Sequence, residues 1–304
     1  MKNINYYLTK NKLLIIGADG FLGYNLALRF VSKKYEVFLL SKNKRTRLPK
    51  IKKANYIYCN LTNKKKIQNI LNISYDYVLN FSGNINHKNK LETKSVHYNG
   101  LKNLIFSLKK NKPKLFIQAG SSLEYGRLQS PQKEKKNNFP SSIYGQAKNL
   151  ASNFLLKKKP FKFIILRMYQ IYGPYQKKDR LIPIVITSCL KNKKFNCTEG
   201  VQERDFLFVD DFVELIEKII QKKNLKSDIY NVGFGKPIAV KEVIKKIHKI
   251  TKKGQPNYGG IKMRNDEIIS LYPDVNKIKK KFKWFPKTKL TQGLKKTIKY
   301  YEKK

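Results

Sequence analysis

Along the first half of the chain, short apolar runs and amphipathic stretches take turns. Residues 12–16, Lys-Leu-Leu-Ile-Ile, are an apolar run closed by glycine, which predicts a strand buried on both faces. Helical spacing follows over 21–33. Further strands are predicted at 36–40, 56–58, 77–81, 114–119 and 162–166, with helices at 64–71, 93–110 and 142–158. Such alternation implies parallel strands joined by crossover helices, hence an α/β fold with a doubly wound parallel sheet. From Tyr172 onward the pattern breaks into short mixed elements with Gly and Pro, which predicts a smaller C-terminal lobe. Residues 1–170, with 205–230 returning to them, are expected to form the first domain, and 171–204 with 231–304 the lobe. No internal repeat or heptad interrupts this reading.

Composition narrows the class. The 304 residues are 41% hydrophobic and 12% aromatic, enough to build a core without staples. No apolar stretch approaches the roughly 18 residues of a membrane span, and the first apolar run is too short for a secretory leader, so a soluble cytoplasmic protein is expected. Three cysteines, Cys59, Cys189 and Cys197, are odd in number and far apart. They outline neither a disulfide framework nor a metal site, and they suit a reducing compartment. Lys and Arg number 66 against 20 Asp and Glu, a net charge of +46. That charge invites a nucleic-acid partner or an anionic membrane surface. The basic residues are spread along the whole chain, however, and Lys and Asn abound while Arg is scarce, as in a coding sequence drifting toward A and T. A solvated basic surface is therefore expected, with no nucleic-acid face and no membrane face.

The first chemical motif is Gly17-Ala-Asp-Gly20-Phe21-Leu22-Gly23, set between the first strand and the first helix. Gly17 permits a tight turn, Gly20 lets backbone approach a pyrophosphate, and Gly23 lets helix pack on strand, with the helix N-terminus facing the phosphates. Three glycines so spaced arise by chance about 0.04 times in this composition, and the strand before and helix after strengthen the motif. A dinucleotide site carries an acid for the ribose hydroxyls at the end of its second strand. Here that place holds Ser41, followed by Lys42, Lys44 and Arg45, which favours the 2′-phosphate of NADP over NAD.

The second motif is Tyr144-Gly-Gln-Ala-Lys148, one helical turn that puts phenol and ammonium on one face. An ammonium lowers the pKa of a nearby phenol and makes it a usable acid or base. The pattern alone decides little, since the chain contains five such pairs, beginning at Tyr6, Tyr98, Tyr144, Tyr258 and Tyr300. Only Tyr144 follows shortly after a strand ending in small hydroxyl residues, Ser121 and Ser122, which can hold a substrate oxygen beside the phenol.

That order of glycine turn, serine and tyrosine with lysine resembles the short-chain dehydrogenase/reductase superfamily, and more closely its extended branch of NAD(P)-dependent sugar-nucleotide epimerases, dehydratases and reductases. Asn80-Phe81-Ser82-Gly83 is similar to that family's turn beside the nicotinamide, and Asn99-Gly100 with Asn103-Leu104 to its following helix. Gly120-Ser-Ser-Leu-Glu-Tyr-Gly126 and Leu166-Arg-Met-Tyr-Gln-Ile-Tyr-Gly-Pro174 are similar to its segments after the fifth and sixth strands. Arg204-Asp-Phe-Leu-Phe-Val-Asp-Asp211, Tyr230-Asn-Val-Gly233 and Trp284-Phe-Pro286 fit its C-terminal half. The resemblance implies a Rossmann-type sheet with a substrate lobe, NADP or NAD as cofactor, a nucleotide-diphosphate sugar as substrate and a homodimer packed through the helices at 93–110 and 142–158. It implies cofactor contacts from Gly17, Gly20, Phe21, Leu22, Gly23, Asn60, Leu61, Phe81, Ser82, Gly83, Asn99, Tyr144 and Lys148. Arg204 would hold the diphosphate, with Arg264 a second phosphate contact, and Glu124 and Gln170 would meet the sugar. Hydride would pass between a sugar carbon and nicotinamide while Tyr144 moves the proton, Lys148 tunes it and Ser122, or Ser121, orients the oxygen.

Departures from the family pattern sharpen the reading. Dehydratases of the family follow the hydroxyl with an acid pair, where this chain has Leu123 and Glu124, so 4-keto reduction or epimerisation in surface-polysaccharide sugar synthesis is expected ahead of 4,6-dehydration. Gln170 stands where relatives often have Asn, and Asn60 where they often have Asp. His87 and His97 read as surface or cleft histidines, since no acid or cysteine keeps metal spacing with them. Asp210 and Asp211 read as caps of a helix starting near Phe212. Two other classes stay in play: a relative that binds the cofactor only structurally, and a basic nucleic-acid-binding protein on a non-catalytic fold of this kind, whose binding would be steeply salt-dependent.

Overall fold

The computed structural model describes residues 10–33, 35–44, 47–83, 89–134 and 139–303. In chain order the strands are β1 Asn11–Ile16, β2 Tyr35–Ser41, β3 Asn55–Tyr58, β4 Tyr77–Asn80, β5 Leu115–Ser121, β6 Phe163–Met168, β7 Gln170–Tyr172, β8 Lys194–Asn196, β9 Glu203–Phe208, β10 Asp228–Val232, β11 Pro237–Ala239, β12 Gln255–Asn257 and β13 Ser270–Leu271. The helices are α1 Phe21–Val31, α2 Lys64–Ile70, α3 Lys90–Lys94, α4 Gly100–Ser107, α5 Ile143–Lys158, α6 Leu181–Leu190, α7 Val209–Gln221, α8 Val240–Thr251, α9 Asn276–Phe282 and α10 Leu290–Glu302.

Seven parallel strands make the main sheet in the order β10-β6-β5-β4-β1-β2-β3. The apolar run of β1 explains its central place. Leu13 and Ile15 enter the core on one side, with α1 and α7, while Leu14 and Ile16 enter the other, with α2, α4 and α5. Each such side chain, fully buried, contributes ~1.5–3 kcal/mol, so a strand apolar at every position is stable only between two helical layers. The strand order reverses between β1 and β4, and in open sheets of this kind ligands bind at that crevice, beyond the strands' C-terminal ends. Residues 209–232 return to the main sheet, α7 packing on α1 and β10 adding beside β6. A smaller sheet forms around β9, parallel to β7 and β13 and antiparallel to β11.

The helix expected over 93–110 is observed as three pieces. It begins at α3, where Asn89 caps the Glu92 N–H (3.0 Å), widens into a π-turn over Ser95–Asn99 and resumes as α4. The acids expected to cap a helix near Phe212 lie inside its first turn, because α7 starts three residues earlier. There they complement the helix dipole, and Asp211 accepts the Lys287 (3.2 Å) and Thr288 (3.0 Å) N–H groups, tying down the chain after Trp284. Among the described residues, no helix is long and apolar enough to cross a membrane.

Candidate active site

At the switch point, Gly17 turns the chain with φ +78°, and a Cβ there would lie 2.7 Å from the Phe81 carbonyl oxygen. Only glycine fits such a turn so close to a neighbouring loop. Gly20 stands at the N-cap of α1 without a side chain to cap it, so the first-turn N–H groups remain available to an anion. This cradle fits a dinucleotide pyrophosphate.

Two adjoining cavities continue the site. A cleft of about 390 Å³ takes its walls from Gly20–Gly23, Phe81–Gly83, Ser121, Ser122, Tyr144, Lys148 and Gln170, among others. A second cavity of about 200 Å³ shares Ser82 and Gly83 with it and runs along Gly17, Lys42, Asn60 and Leu61. Ser41, expected at the cofactor, is buried and does not line this cavity, though its neighbours Leu40 and Lys42 do; its carbonyl accepts the Cys59 N–H at 2.9 Å. Arg45 and His87 lie outside the described residues.

The candidate reaction centre lies where α5 meets the end of β5. Ser142 caps α5 by accepting the Gly145 N–H (3.0 Å), which sets Tyr144 and Lys148 one turn apart on the inner face. Lys148 is buried and donates from Nζ to the Ala119 carbonyl (2.8 Å), with its ammonium 5.7 Å from the Tyr144 ring centre. Burial pushes the Lys148 ammonium down to about 8. Burial, reinforced by the Glu124 charge, pushes the Tyr144 phenol up to about 12, while a hydrogen bond with Ser121 and the Arg180 charge pull the other way. Ser121 is thus the hydroxyl that engages the phenol. Ser122 also lines the cleft.

Three sequence expectations meet a different geometry. Glu124, expected at the sugar, has no exposed surface: one oxygen pairs with Arg167 Nε at 3.0 Å and the other accepts the Ser121 N–H at 2.8 Å. The short 3-10 turn after β5, Ser122–Tyr125, rolls it inward, so it fixes Ser121 from behind and Leu123 takes its place in the cleft. Asn99, expected at the cofactor, is exposed and outside the cleft, whereas His97 is buried and lines it. Both lie in the π-turn Ser95–Asn99, which turns His97 inward and leaves Asn99 on the outside. Arg204 and Arg264 do not line the described cleft. They converge instead on Glu267, whose Oε1 pairs with Arg204 and whose Oε2 pairs with Arg264 at 2.8 Å. Arg204 sits on β9 opposite Leu271, and Leu271 does line the cleft, so this pair of cations stands at its flank.

Arg180 and Gln176, which pattern reading passed over, also line the cleft. A usable signal existed for the first. The chain holds only eight arginines, so one among so many lysines marks a position where a planar fork is wanted.

A family model described as the NAD dependent epimerase/dehydratase family matches residues 13–233. CDP-abequose synthase of Salmonella muenchen is 34% identical over 139 residues, 45% of this chain, and that match spans 47% of its own length, about half. UDP-arabinose 4-epimerase 1 of Arabidopsis thaliana is 24% identical over 93% of this chain and 77% of its own. The UDP-glucose 4-epimerase of Thermotoga maritima, solved with UDP-glucose, shares the fold with a TM-score of 0.88 at 23% identity, covering 96% of this chain and 99% of that one.

Proposed function

Because the chain belongs to the NAD-dependent epimerase/dehydratase family, we propose that it reduces the 4-keto group of a nucleotide-diphosphate sugar, in the cytoplasm and in the synthesis of a surface polysaccharide. The observation that carries this reading is that Ser121, Tyr144 and Lys148 meet in a cleft whose described lining holds no carboxylate. Among the described cleft residues none is Asp or Glu, and the undescribed stretches contain neither residue. Dehydration needs an acid and a base beside the reacting oxygen's own partner, and Glu124 is committed to Arg167. Reduction needs one proton donor. With its phenol pushed up to about 12, Tyr144 holds its proton at neutral pH, ready to donate from Oη to the carbonyl oxygen that Ser121 orients. Lys148, fixed on the Ala119 carbonyl, supplies positive charge as the phenolate forms.

A bound nicotinamide cofactor would supply the hydride. The glycine turn would hold its pyrophosphate, Asn60 and Leu61 its adenosine end and Phe81–Gly83 its nicotinamide side. We favour NADP, since Ser41 presents no carboxylate to repel a 2′-phosphate and Lys42 lines the adjoining cavity. Arg204 and Arg264 would swing from Glu267 onto the substrate diphosphate, with Gln170 nearer the sugar. Epimerisation is the second reading, favoured by the epimerase relatives; it uses the same groups in both directions. The pair would act as a homodimer through α3, α4 and α5, which leave Leu91, Phe106, Leu150 and Leu156 exposed.

The test follows NADPH oxidation at 340 nm with nucleotide-linked 4-keto sugars, for the native chain and Tyr144→Phe. Loss of turnover by at least ~100-fold, with NADPH still bound, is expected. A folded Tyr144→Phe protein with full turnover overturns the assignment.

A further inference from the structure

At the end of β5 an ion pair closed off from solvent stands directly behind Ser121. Glu124 accepts the Ser121 N–H through Oε1 at 2.8 Å and the Arg167 Nε–H through Oε2 at 3.0 Å, and the two side chains are 0% and 2% exposed. Removing one member of such a pair is costly, but replacing both by apolar side chains of similar size is often neutral or stabilising, so stability alone does not call for it. Its surroundings point to another use. Gly120 leaves room for the carboxylate, since a Cβ there would lie 2.8 Å from Glu124 Oε1. Arg167 spreads over the Tyr125 ring, 4.5 Å from its centre, and the Tyr125 hydroxyl donates to Asn231 Oδ1 on β10 at 2.7 Å, which anchors the guanidinium to the sheet. Glu124 thereby closes the 3-10 turn Ser122–Tyr125 onto Ser121, as one arm of a capping box whose other arm is Ser121 Oγ accepting the Leu123 N–H at 3.2 Å. That contact takes one lone pair of the hydroxyl and leaves its proton for the cleft, where it meets the Tyr144 phenol. The same turn seats α5, because no Cβ fits at Gly145 against the Leu123 carbonyl oxygen, one residue from Tyr144.

We propose that Glu124, held by Arg167, is a positioning residue for the Ser121 hydroxyl, aiming it at the oxygen that Tyr144 protonates; this role rests on the reaction proposed above. The effect is geometric. The carboxylate oxygen on the Ser121 N–H fixes the turn, the turn fixes the hydroxyl, and a misplacement of about 1 Å at a reacting group costs on the order of 100-fold in rate. Arg167 serves to keep that oxygen in place inside the sheet. An uncharged acceptor at position 124 is therefore expected to suffice once Arg167 no longer demands a partner.

The experiment compares two double variants of the full chain that both lack the ion pair and strand no charge. Glu124→Gln with Arg167→Met keeps an acceptor for the Ser121 N–H, and Glu124→Met with Arg167→Met, nearly the same in shape, does not. Reduction of nucleotide-linked 4-keto sugars by NADPH is followed with thermal melting and NADPH binding alongside. In the Met double kcat is expected to fall at least about tenfold with KM and NADPH affinity unchanged, and in the Gln double to return to within about threefold of native. Native kcat in a folded Met double, an equal loss of kcat in both doubles, or a loss expressed in KM alone overturns the inference. If the Met double does not fold, the Gln double decides: a tenfold loss of kcat at an unchanged melting temperature overturns the inference. A native chain that turns over none of these sugars overturns the proposed reaction and this role with it, whereas an active native chain beside an equally active Met double overturns the role alone.

Discussion

Glu124 and Asp205 are the two carboxylates with no exposed surface among the described residues, one behind the candidate reaction centre and one in the small sheet, and they are held in opposite ways. Glu124 faces a guanidinium, Arg167, and one backbone N–H. Asp205 has three backbone N–H partners, Phe234 (2.6 Å), Gly235 (2.6 Å) and Lys236 (3.1 Å), and no salt bridge among the described residues. A paired charge holds the Ser121 backbone from behind. A charge cradled by amides, with the Lys279 charge as a smaller aid, ties the turn after β10 to β9, but burial still pushes it up to about 6. The difference teaches where this fold is rigid and where it titrates.

The comparison breaks most sharply at Glu124. Glu124→Ala strands Arg167 in the sheet without its partner, and removing one member of a buried pair costs ~3–5 kcal/mol. Denaturant titration is expected to show that loss, with Glu124→Gln, which keeps the shape and the Ser121 contact, losing less. Equal stability in Glu124→Ala and the native chain would mean that the pair is not what holds the floor of the site.

Asp205 tests the other side by pH. Its folded value of about 6 lies above the ordinary 3.8, so the folded chain binds the proton more tightly than the unfolded one. That advantage is full below about pH 4 and is lost as pH rises through about 6, a swing of ~3 kcal/mol at most. In Asp205→Asn the group is gone. The melting temperature of the native chain relative to this variant is therefore expected to rise as pH falls from 7 to 4, and a difference independent of pH would refute the assignment.

The two regions also differ in how much their residues reveal. Parallel strands apolar at every position announce themselves, and Leu13 to Ile16 could have been placed only at the centre of a two-layered sheet. The one-turn spacing of Tyr144 and Lys148 was legible because a helical turn is a local object, although with five such pairs in the chain only the serines ahead of Tyr144 singled it out. What stayed hidden depends on local irregularity or on distance. The π-turn that brings in His97 and the 3-10 turn that rolls Glu124 inward leave no period in the sequence. Arg204 meets Glu267 across 63 positions, and no pattern along the chain announces that meeting. The small sheet is built from strands of two to six residues, most too short to show alternation.

Lys245 and Glu242 pair at 2.9 Å on α8, three residues apart, with side chains 56% and 47% exposed. The separation matches that of Arg167 and Glu124, but water screens these charges and the two long chains give up rotamer freedom to meet. Lys245→Ala is expected to change stability by no more than ~0.5 kcal/mol, and raising the salt concentration is expected to erase even that. A loss near that of Glu124→Ala would show that distance alone, and not burial, sets the strength of ion pairs in this chain. On the geometry described, burial decides, and most of the +46 charge, carried by exposed lysines, contributes little to holding the fold together.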